Sequence, residues 1–215
     1  MKKSWTPRLA ITAALGAVLL LLLLLGACGQ RPAPPSSAPP SSGADASGQP
    51  GIGADPLGGL VALAIERINT ADTVSAAKFG TPQPIDDPAR EQQVLNAVTA
   101  QSPGVGVNPT ESAQFFRDQI EANKVVQRGL YQQWTAHPEL RPANKPDLAS
   151  TVRPELDRLT PEILRQLRAT NAARHGGAQC IAQLGQATAA AAGPLDQLHR
   201  DALAVALRSV CVASP

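Results

Sequence analysis

The sequence contains few aromatic residues and no run in which apolar and polar residues alternate. Phenylalanine, tryptophan and tyrosine together make up 3% of the 215 residues, and β-branched residues form few clusters. Half-buried strands show a period of two residues, whereas amphipathic helices show a period of 3.6. Because only the helical period recurs beyond residue 55, the sequence predicts an all-α fold with a single domain of about six helices.

Histidine and cysteine are also scarce, and neither forms a metal-binding pattern. The three histidines, His137, His175 and His199, are scattered along the chain, and the three cysteines include no Cys-x-x-Cys pair. Structural and catalytic metal sites need such residues at short, regular spacings. We therefore expect no metal site.

Positive charge is not in excess in the folded part of the chain. The formal net charge is +2, but four basic residues lie within the first 31 positions. From Gly51 onward 15 basic and 16 acidic residues remain, which gives a net charge of −1. Nucleic-acid-binding proteins need a basic surface that displaces counterions from phosphates. We therefore expect no nucleic-acid partner.

The N-terminus has the layout of an export signal. Three basic residues precede an uncharged, leucine-rich run over residues 9–27. The run ends in Leu25-Gly26-Ala27-Cys28, which resembles a bacterial lipobox, where the cysteine is acylated and becomes the first mature residue. Residues 1–28 are thus predicted to be a signal peptide with lipidation at Cys28. Cleavage without lipidation and a retained membrane helix are the two alternatives.

A segment rich in proline, serine, glycine and alanine follows, over residues 29–54. It can bury too little apolar surface to offset the entropy of ordering, so we predict a flexible tether. The folded domain is predicted to cover residues 55–215, a length that suits one domain. These features predict an exported protein that is periplasmic, held at the cell envelope as a lipoprotein, or secreted. Membrane contact is expected only through the N-terminal lipid or signal helix.

Cys180 and Cys211 remain as a pair if Cys28 carries lipid. An oxidising compartment favours a disulfide between them. Closing a loop of about thirty residues stabilises a fold by roughly 3 to 4 kcal/mol in the chain-entropy model. The alternative is two free, buried thiols.

Capping and turn signals divide the folded part into helices. Asp87-Pro88 and Asn108-Pro109 each place an N-cap residue before a proline at the first helical position. Gly80 with Pro82, and Ser102 with Pro103, mark helix ends. The predicted helices cover residues 57–79, 88–101, 109–137, 154–173, 178–192 and 195–212.

Several polar residues occupy unusual positions in these helices. Arg67 and Lys78, eleven residues apart, share one line of the first helix beside its apolar stripe. Asn123 and Gln127 lie inside the apolar stripe of the third helix. A buried amide needs a hydrogen-bond partner, since each unpaired group costs about 1 to 3 kcal/mol. A solvated edge would explain the two cations, and another side chain could satisfy the amides, but a polar ligand would explain both.

Four further charged residues complete the set. Asp87, Arg90 and Glu91 lie in the first turn of the second predicted helix, and Arg153 lies just ahead of Pro154. Each one alone is typical of an ordinary surface residue.

In this order and spacing, the set resembles the active site of the all-helical chorismate mutases. Residues 64–72, 77–79 and 116–120 and the two C-terminal cysteines are similar to the exported subclass in particular. The resemblance covers residues 55–213, and it implies a chorismate mutase type II-like fold that rearranges chorismate to prephenate. It implies catalytic roles for Arg67, Lys78, Arg90 and Gln127, and substrate contacts for Asp87, Glu91, Asn123 and Arg153.

Arg153 matches an arginine that the exported subclass takes from its own chain, where short cytosolic members borrow one from the partner subunit. The loop before Arg153 is one residue longer here than in the family pattern. The reaction is an isomerisation within one molecule and needs no nucleophile or proton shuttle, so we expect no cofactor. We further expect a homodimer.

Two other functions are compatible with the sequence. The chain could be a non-enzymatic envelope lipoprotein whose charged helix faces bind a protein, in which case an exposed apolar patch is expected. It could also be a relative that binds an aromatic-pathway acid without converting it.

Overall fold

The structure is a computed structural model that describes residues 55–212. Within this range it consists of α-helices, two short 3-10 helices at Ser102–Val105 and Pro138–Leu140, and connecting turns, without a β-strand. The α-helices are α1 Gly58–Lys78, α2 Pro88–Gln101, α3 Pro109–Ala136, α4 Leu148–Ala169, α5 Asn171–Arg174, α6 Ala178–Ala191 and α7 Gln197–Ala206. The all-α prediction is therefore confirmed. The predicted signal peptide, the lipidation site at Cys28 and the tether lie outside the described residues.

Helix α1 forms the centre of the domain and contacts α3, α4, α6 and α7. Its predicted apolar stripe is buried, and Leu60, Val61 and Ala64 have no exposed surface at all. Burying side chains of this kind stabilises a fold by about 1.5 to 3 kcal/mol for each large one. The 3.6-residue period of the sequence therefore identified the helix on which α3, α4, α6 and α7 pack.

Helix α3 is buried on two faces. One face packs on α1 and another on α7, and α3 also contacts α2. A Cβ atom added at Gly129 would lie 2.5 Å from Cδ1 of Leu198, so α3 and α7 approach closely at this glycine. The two-sided burial fixes the rotation of α3 about its axis and therefore the direction of its polar side chains.

The predicted starts of α2 and α3 are confirmed. Oδ1 of Asp87 accepts a hydrogen bond of 3.0 Å from the backbone N–H of Arg90. Oδ1 of Asn108 accepts hydrogen bonds of 2.9 Å and 3.3 Å from the N–H groups of Thr110 and Glu111. Both caps satisfy N–H groups that the first helical turn leaves without an intrahelical partner.

The predicted start of the fourth helix at Pro154 is wrong. Helix α4 begins at Leu148, capped by Asp147, and both Pro154 and Pro161 lie inside it. A proline in a helix leaves the carbonyl four residues earlier without its N–H donor. Those carbonyls belong to Ser150 and Asp157, which are exposed, so water can supply the missing donor. Arg153 therefore lies on a helix and not in a loop.

The predicted last helix, over residues 195–212, is too long. Helix α7 ends at Ala206, and the chain turns so that Cys211 forms a disulfide with Cys180 of α6. The N–H of Val212 then donates to the carbonyl oxygen of Arg174 at 2.9 Å. The segment after α7 is thus fixed covalently to α6 through Cys211 and by the backbone hydrogen bond of Val212 to α5. No helix in residues 55–212 is long and apolar enough to cross a membrane.

Candidate active site

A cavity of about 200 Å³ lies between α1, α2 and α3, beside α4. Its polar wall contains seven of the eight site residues predicted from the sequence: Arg67, Lys78, Asp87, Arg90, Glu91, Asn123 and Gln127. Apolar side chains complete the wall: Val74, Ile85, Val94, Ile120 and Leu156. The cavity therefore combines a charged rim with an apolar body, as small-molecule sites commonly do.

Arg67 is a deeply buried cation of the cavity, with 7% of its surface exposed. Its guanidinium lies over the ring of Phe116, 5.4 Å from the ring centroid. Neither Nε nor Nη1 has a hydrogen-bond partner among the described residues. Burial lowers the pKa of Arg67 to about 10, which leaves it charged at neutral pH. A buried cation with unused donors is costly unless an anion compensates it.

Lys78 and Arg90 add positive charge at the cavity wall. Lys78 is half-buried, and burial lowers its pKa, although Asp87, Asp86 and Glu91 oppose that shift. Arg90 is exposed and donates from Nη1 to Oε1 of Gln93 at 3.2 Å. Together with Arg67 they converge on one cavity from two helices, α1 and α2.

The two predicted amides lie on the wall formed by α3. Nε2 of Gln127 donates to Oδ1 of Asn123 at 2.8 Å, and Nδ2 of Asn123 donates to Oγ1 of Thr70 at 3.4 Å. Oε1 of Gln127 is buried and has no partner within residues 55–212. The amides therefore satisfy each other only in part.

Asp87 and Glu91 connect the cavity to the start of α2. The N–H of Asp87 donates to Oε1 of Glu91 at 3.1 Å, and the Asp87 carboxylate caps the helix. Nζ of Lys124 lies 2.8 Å from Oε2 of Glu91, 2.8 Å from Oε1 of Glu121 and 3.4 Å from Oδ1 of Asp86. Both cavity carboxylates are thus held in fixed positions by the protein itself.

Arg153 is the one predicted residue outside this cavity. It lines a neighbouring cavity of about 480 Å³, which shares Lys78, Asp87 and Arg90 with the first. Its side chain is exposed on the outer turn of α4. The structure therefore brings seven residues to one cavity and the eighth to the space next to it.

Two polar lining residues, Thr70 and Lys124, were not predicted. Thr70 follows Arg67 by one helical turn on the same side of α1, and that spacing was the available signal. Lys124 is only 7% exposed, although a lysine is rarely buried. Burial lowers its pKa, but hydrogen bonds to Glu121 and Glu91 raise the pKa more strongly, so it remains charged.

The arrangement can bind and orient a small anion with more than one negative group. Four cations line the cavity, Arg67, Lys78, Arg90 and Lys124, and the amides supply neutral donors that need no proton transfer. Across residues 55–212, no group of histidine, cysteine, aspartate and glutamate side chains is placed to hold a metal ion.

Known proteins resemble this chain in both sequence and fold. The pattern of the family chorismate mutase type II matches residues 59–128. The secreted chorismate mutase of Mycolicibacterium smegmatis is 35% identical over 160 residues, which cover 74% of this chain and 87% of the relative. That of Mycobacterium tuberculosis is 30% identical over 165 residues, covering 76% and 82%. The crystal structure of chorismate mutase from Burkholderia thailandensis has 35% identity and a TM-score of 0.69, covering 74% of this chain and all of that one.

The helical fold, the cationic cavity and these similarities define one class of protein. The chain belongs to the chorismate mutase type II family. Because these two relatives are named as secreted proteins and the N-terminus has the layout of an export signal, it is an exported member.

Proposed function

We propose that this domain is an isomerase that converts chorismate to prephenate by stabilising the transition state electrostatically. The observation that carries the proposal is the buried Arg67 guanidinium, which has unused donors and faces the same cavity as Lys78 and Arg90. A dianionic substrate supplies the negative charge that compensates these cations.

The reaction breaks a carbon–oxygen bond and forms a carbon–carbon bond within one molecule. The first task of the enzyme is therefore to hold the flexible side chain of the substrate over its ring. Arginine can bind a carboxylate through two parallel N–H donors, which fixes orientation as well as position. We assign the two carboxylates to Arg67 and Arg90, which line the cavity, and we assign to Arg153 the closing of the site from the neighbouring cavity.

The second task is to stabilise negative charge that grows on the ether oxygen as its bond to carbon breaks. Fixed donors aimed at that position accelerate the reaction because they need no reorganisation. Lys78 on α1 and the Gln127 amide on α3 are lining donors suited to this task. Asp87 and Glu91 carry acceptors for the substrate hydroxyl, and Asn123 supports Gln127.

Substitutions at Gln127 test this assignment. Gln127→Ala should lower turnover of chorismate about 10²-fold, the scale for losing one donor to a developing oxyanion. Gln127→Glu offers a donor only when protonated, and a buried carboxyl beside a dianion has a raised pKa. Its activity should be low at neutral pH and recover as the pH falls, while the parent profile stays nearly flat. Loss of chorismate absorbance measures both.

Parental turnover by both variants at pH 7 would show that Gln127 is a structural amide. An inactive parent that still binds a chorismate-like dianion would support the non-catalytic relative instead. The envelope-adaptor alternative lacks its expected patch, because the large exposed apolar residues Val105, Leu140 and Ile181 lie on separate elements within the described range.

The N-terminal lipid and the dimer are part of the same proposal. Cys28→Ser should release the protein from the membrane fraction or stall its processing if Cys28 carries lipid. Unchanged membrane association would favour a retained helix. Sedimentation of the domain beginning at Asp55 distinguishes a homodimer from a monomer.

A further inference from the structure

A chain of three side-chain hydrogen bonds runs from α1 to α3 across the cavity wall. Oγ1 of Thr70 donates to the carbonyl oxygen of Arg67 at 2.8 Å. Nδ2 of Asn123 donates to Oγ1 of Thr70 at 3.4 Å, and Nε2 of Gln127 donates to Oδ1 of Asn123 at 2.8 Å. Thr70 is buried, and it lines the same cavity as the two amides.

The direction of this chain follows from its first member. A threonine hydroxyl has one proton, and a backbone carbonyl can only accept, so the proton is committed to the Arg67 carbonyl. The hydroxyl oxygen can then offer only a lone pair to Asn123, which must present its NH₂ group. The carbonyl oxygen of the Asn123 amide consequently faces Gln127, which must present its own NH₂ group in turn.

Nothing else in the described part of the chain sets the orientation of the Gln127 amide. Its Oε1 is buried without a partner, so a rotation that exchanged Oε1 and Nε2 would break no bond at that atom. A carbonyl oxygen turned toward the reacting ether oxygen would repel the growing negative charge, whereas an N–H stabilises it. The orientation of the amide therefore decides whether Gln127 stabilises or destabilises the transition state.

We propose that Thr70 is a positioning residue whose hydroxyl, acting through Asn123, orients the Gln127 amide so that the N–H not bonded to Asn123 is available to the substrate. The inference rests on the proposed function, because it concerns the donor to the ether oxygen. Thr70 itself need not touch the substrate.

The first experiment compares Thr70→Val, which keeps the shape and removes the hydroxyl, with the matched control Thr70→Ser, which keeps the hydroxyl. Thr70→Val should lower kcat about tenfold, the scale of one hydrogen bond, and leave KM within about twofold. Thr70→Ser should keep kcat within about threefold of the parent. A hydroxyl that only packs against its neighbours would give equal kcat values for the two variants.

The second experiment uses a readout that packing alone would not move. In Gln127→Glu, the Asn123 carbonyl faces the new carboxyl and disfavours its ionised form. Adding Thr70→Val frees Asn123 to turn its NH₂ group toward the carboxylate and stabilise it. The midpoint of the pH–activity profile should therefore move to lower pH in the double variant. The other charged groups of the cavity are the same in both proteins, so the difference isolates Thr70. They are Arg67, Lys78, Asp87, Arg90, Glu91 and Lys124.

The outcomes separate the two hypotheses. A parent protein that does not convert chorismate overturns the proposed function whatever Thr70 does. An active parent with unchanged kcat in Thr70→Val, or with coincident pH midpoints in the single and double variants, overturns only the role of Thr70. If Thr70→Val does not fold, Thr70→Ala also lacks the hydroxyl, cannot clash, and carries the same expectations.

Discussion

Arg67 and Arg174 are both buried arginines of the described residues, but their surroundings differ. Arg67 is 7% exposed, lines the cavity, and has two nitrogens without a hydrogen-bond partner in that part of the chain. Arg174 is fully buried near the C-terminal disulfide. Its Nη2 lies 3.0 Å from Oε2 of Glu111, and its Nε donates to the carbonyl oxygen of Val210 at 3.1 Å.

The difference separates a binding residue from a structural one. Burial of a charge is compensated at Arg174 by a carboxylate and backbone carbonyls, which also join α5 to α3 and to the C-terminal segment. At Arg67 the protein supplies only the face of Phe116. A domain that keeps such an uncompensated charge sacrifices stability at that position, and the gain is affinity for an anion.

The largest expected effect is on kcat/KM and follows from replacing Arg67, the buried cation without a counter-ion. Arg67→Met should lower kcat/KM for chorismate about 10³-fold, because the substrate carboxylate loses a desolvated partner. The free energy of unfolding should stay equal or increase, since an apolar side chain replaces a buried charge without a counter-ion. Steady-state kinetics and thermal unfolding measure the two quantities. A large loss of stability would show that Arg67 is structural, like Arg174.

The reverse pattern is expected at the compensated cation. Arg174→Met should lower the free energy of unfolding by about 3 to 5 kcal/mol, because it leaves the Glu111 carboxylate partly buried without its arginine. Values of kcat and KM for the folded protein should not change. Adding Glu111→Gln should restore part of the stability, because the stranded charge is gone. A change in KM for the single variant would contradict the separation between the two regions.

A third test concerns Lys124, a buried cation at the edge of the active site. The carboxylates of Glu91 and Glu121 compensate its charge. Lys124→Met should raise KM about tenfold, because the charge of Glu91 then repels the substrate dianion. Adding Glu91→Gln should return KM toward the parent value. If the double variant is as impaired as the single one, Lys124 binds the substrate directly and does not act through Glu91. The rise in KM should be smaller at high salt.

The sequence was sufficient to predict the central part of this architecture. The apolar period placed α1 and α3, and the two proline-associated caps placed the starts of α2 and α3. The amides Asn123 and Gln127 stood out because they interrupt that period, and the cations Arg67 and Lys78 because they share one line beside the apolar stripe. The structure brings all four to one cavity. The apolar period is therefore sufficient to identify a site residue where function requires a polar side chain on a buried helix face.

The parts of the fold and of the site that the sequence did not predict depend on contacts between distant segments. Lys124 is indistinguishable from a surface lysine in the sequence, and its burial follows from Asp86 and Glu91, which another part of the chain supplies. Pro154 is typical of a helix start, but α4 begins already at Leu148. The Asp147 cap and the burial of Val152 stabilise the turns before Pro154. Whether Arg153 reaches the substrate remains a prediction, since it lines the neighbouring cavity.

The smallest expected effect concerns two aspartates that cap helices in the two regions. Asp87 caps α2 at the cavity, and Asp196 caps α7 in the C-terminal part, where Oδ1 accepts hydrogen bonds of 2.8 Å from both the N–H and Nδ1 of His199. Asparagine caps helices as well as aspartate does, so Asp196→Asn should keep kcat and KM and should cost little stability at neutral pH. Asp87→Asn should affect kinetics because Asp87 lines the active site.

The acid side of the stability curve should distinguish Asp196→Asn from the parent. The hydrogen bond from the backbone N–H of His199, followed by that from its side chain, holds the pKa of Asp196 below its ordinary value of 3.8. A carboxyl with a lowered pKa in the folded state stabilises the protein above its unfolded pKa, and that contribution is lost as the pH falls through the folded value.

The parent should therefore lose more Tm than the variant as the pH falls below about 4. Burial, with a smaller contribution from the Asp196 charge, raises the pKa of Asp72, which acts in the opposite direction. Replacing Asp196 weakens that shift, which makes the difference between the two proteins smaller. Because Asp196 is largely exposed, solvent screening should limit the difference to less than about 4 °C. Thermal unfolding from pH 7 to pH 3 measures it, and parallel curves would mean that the Asp196 charge does not contribute to stability.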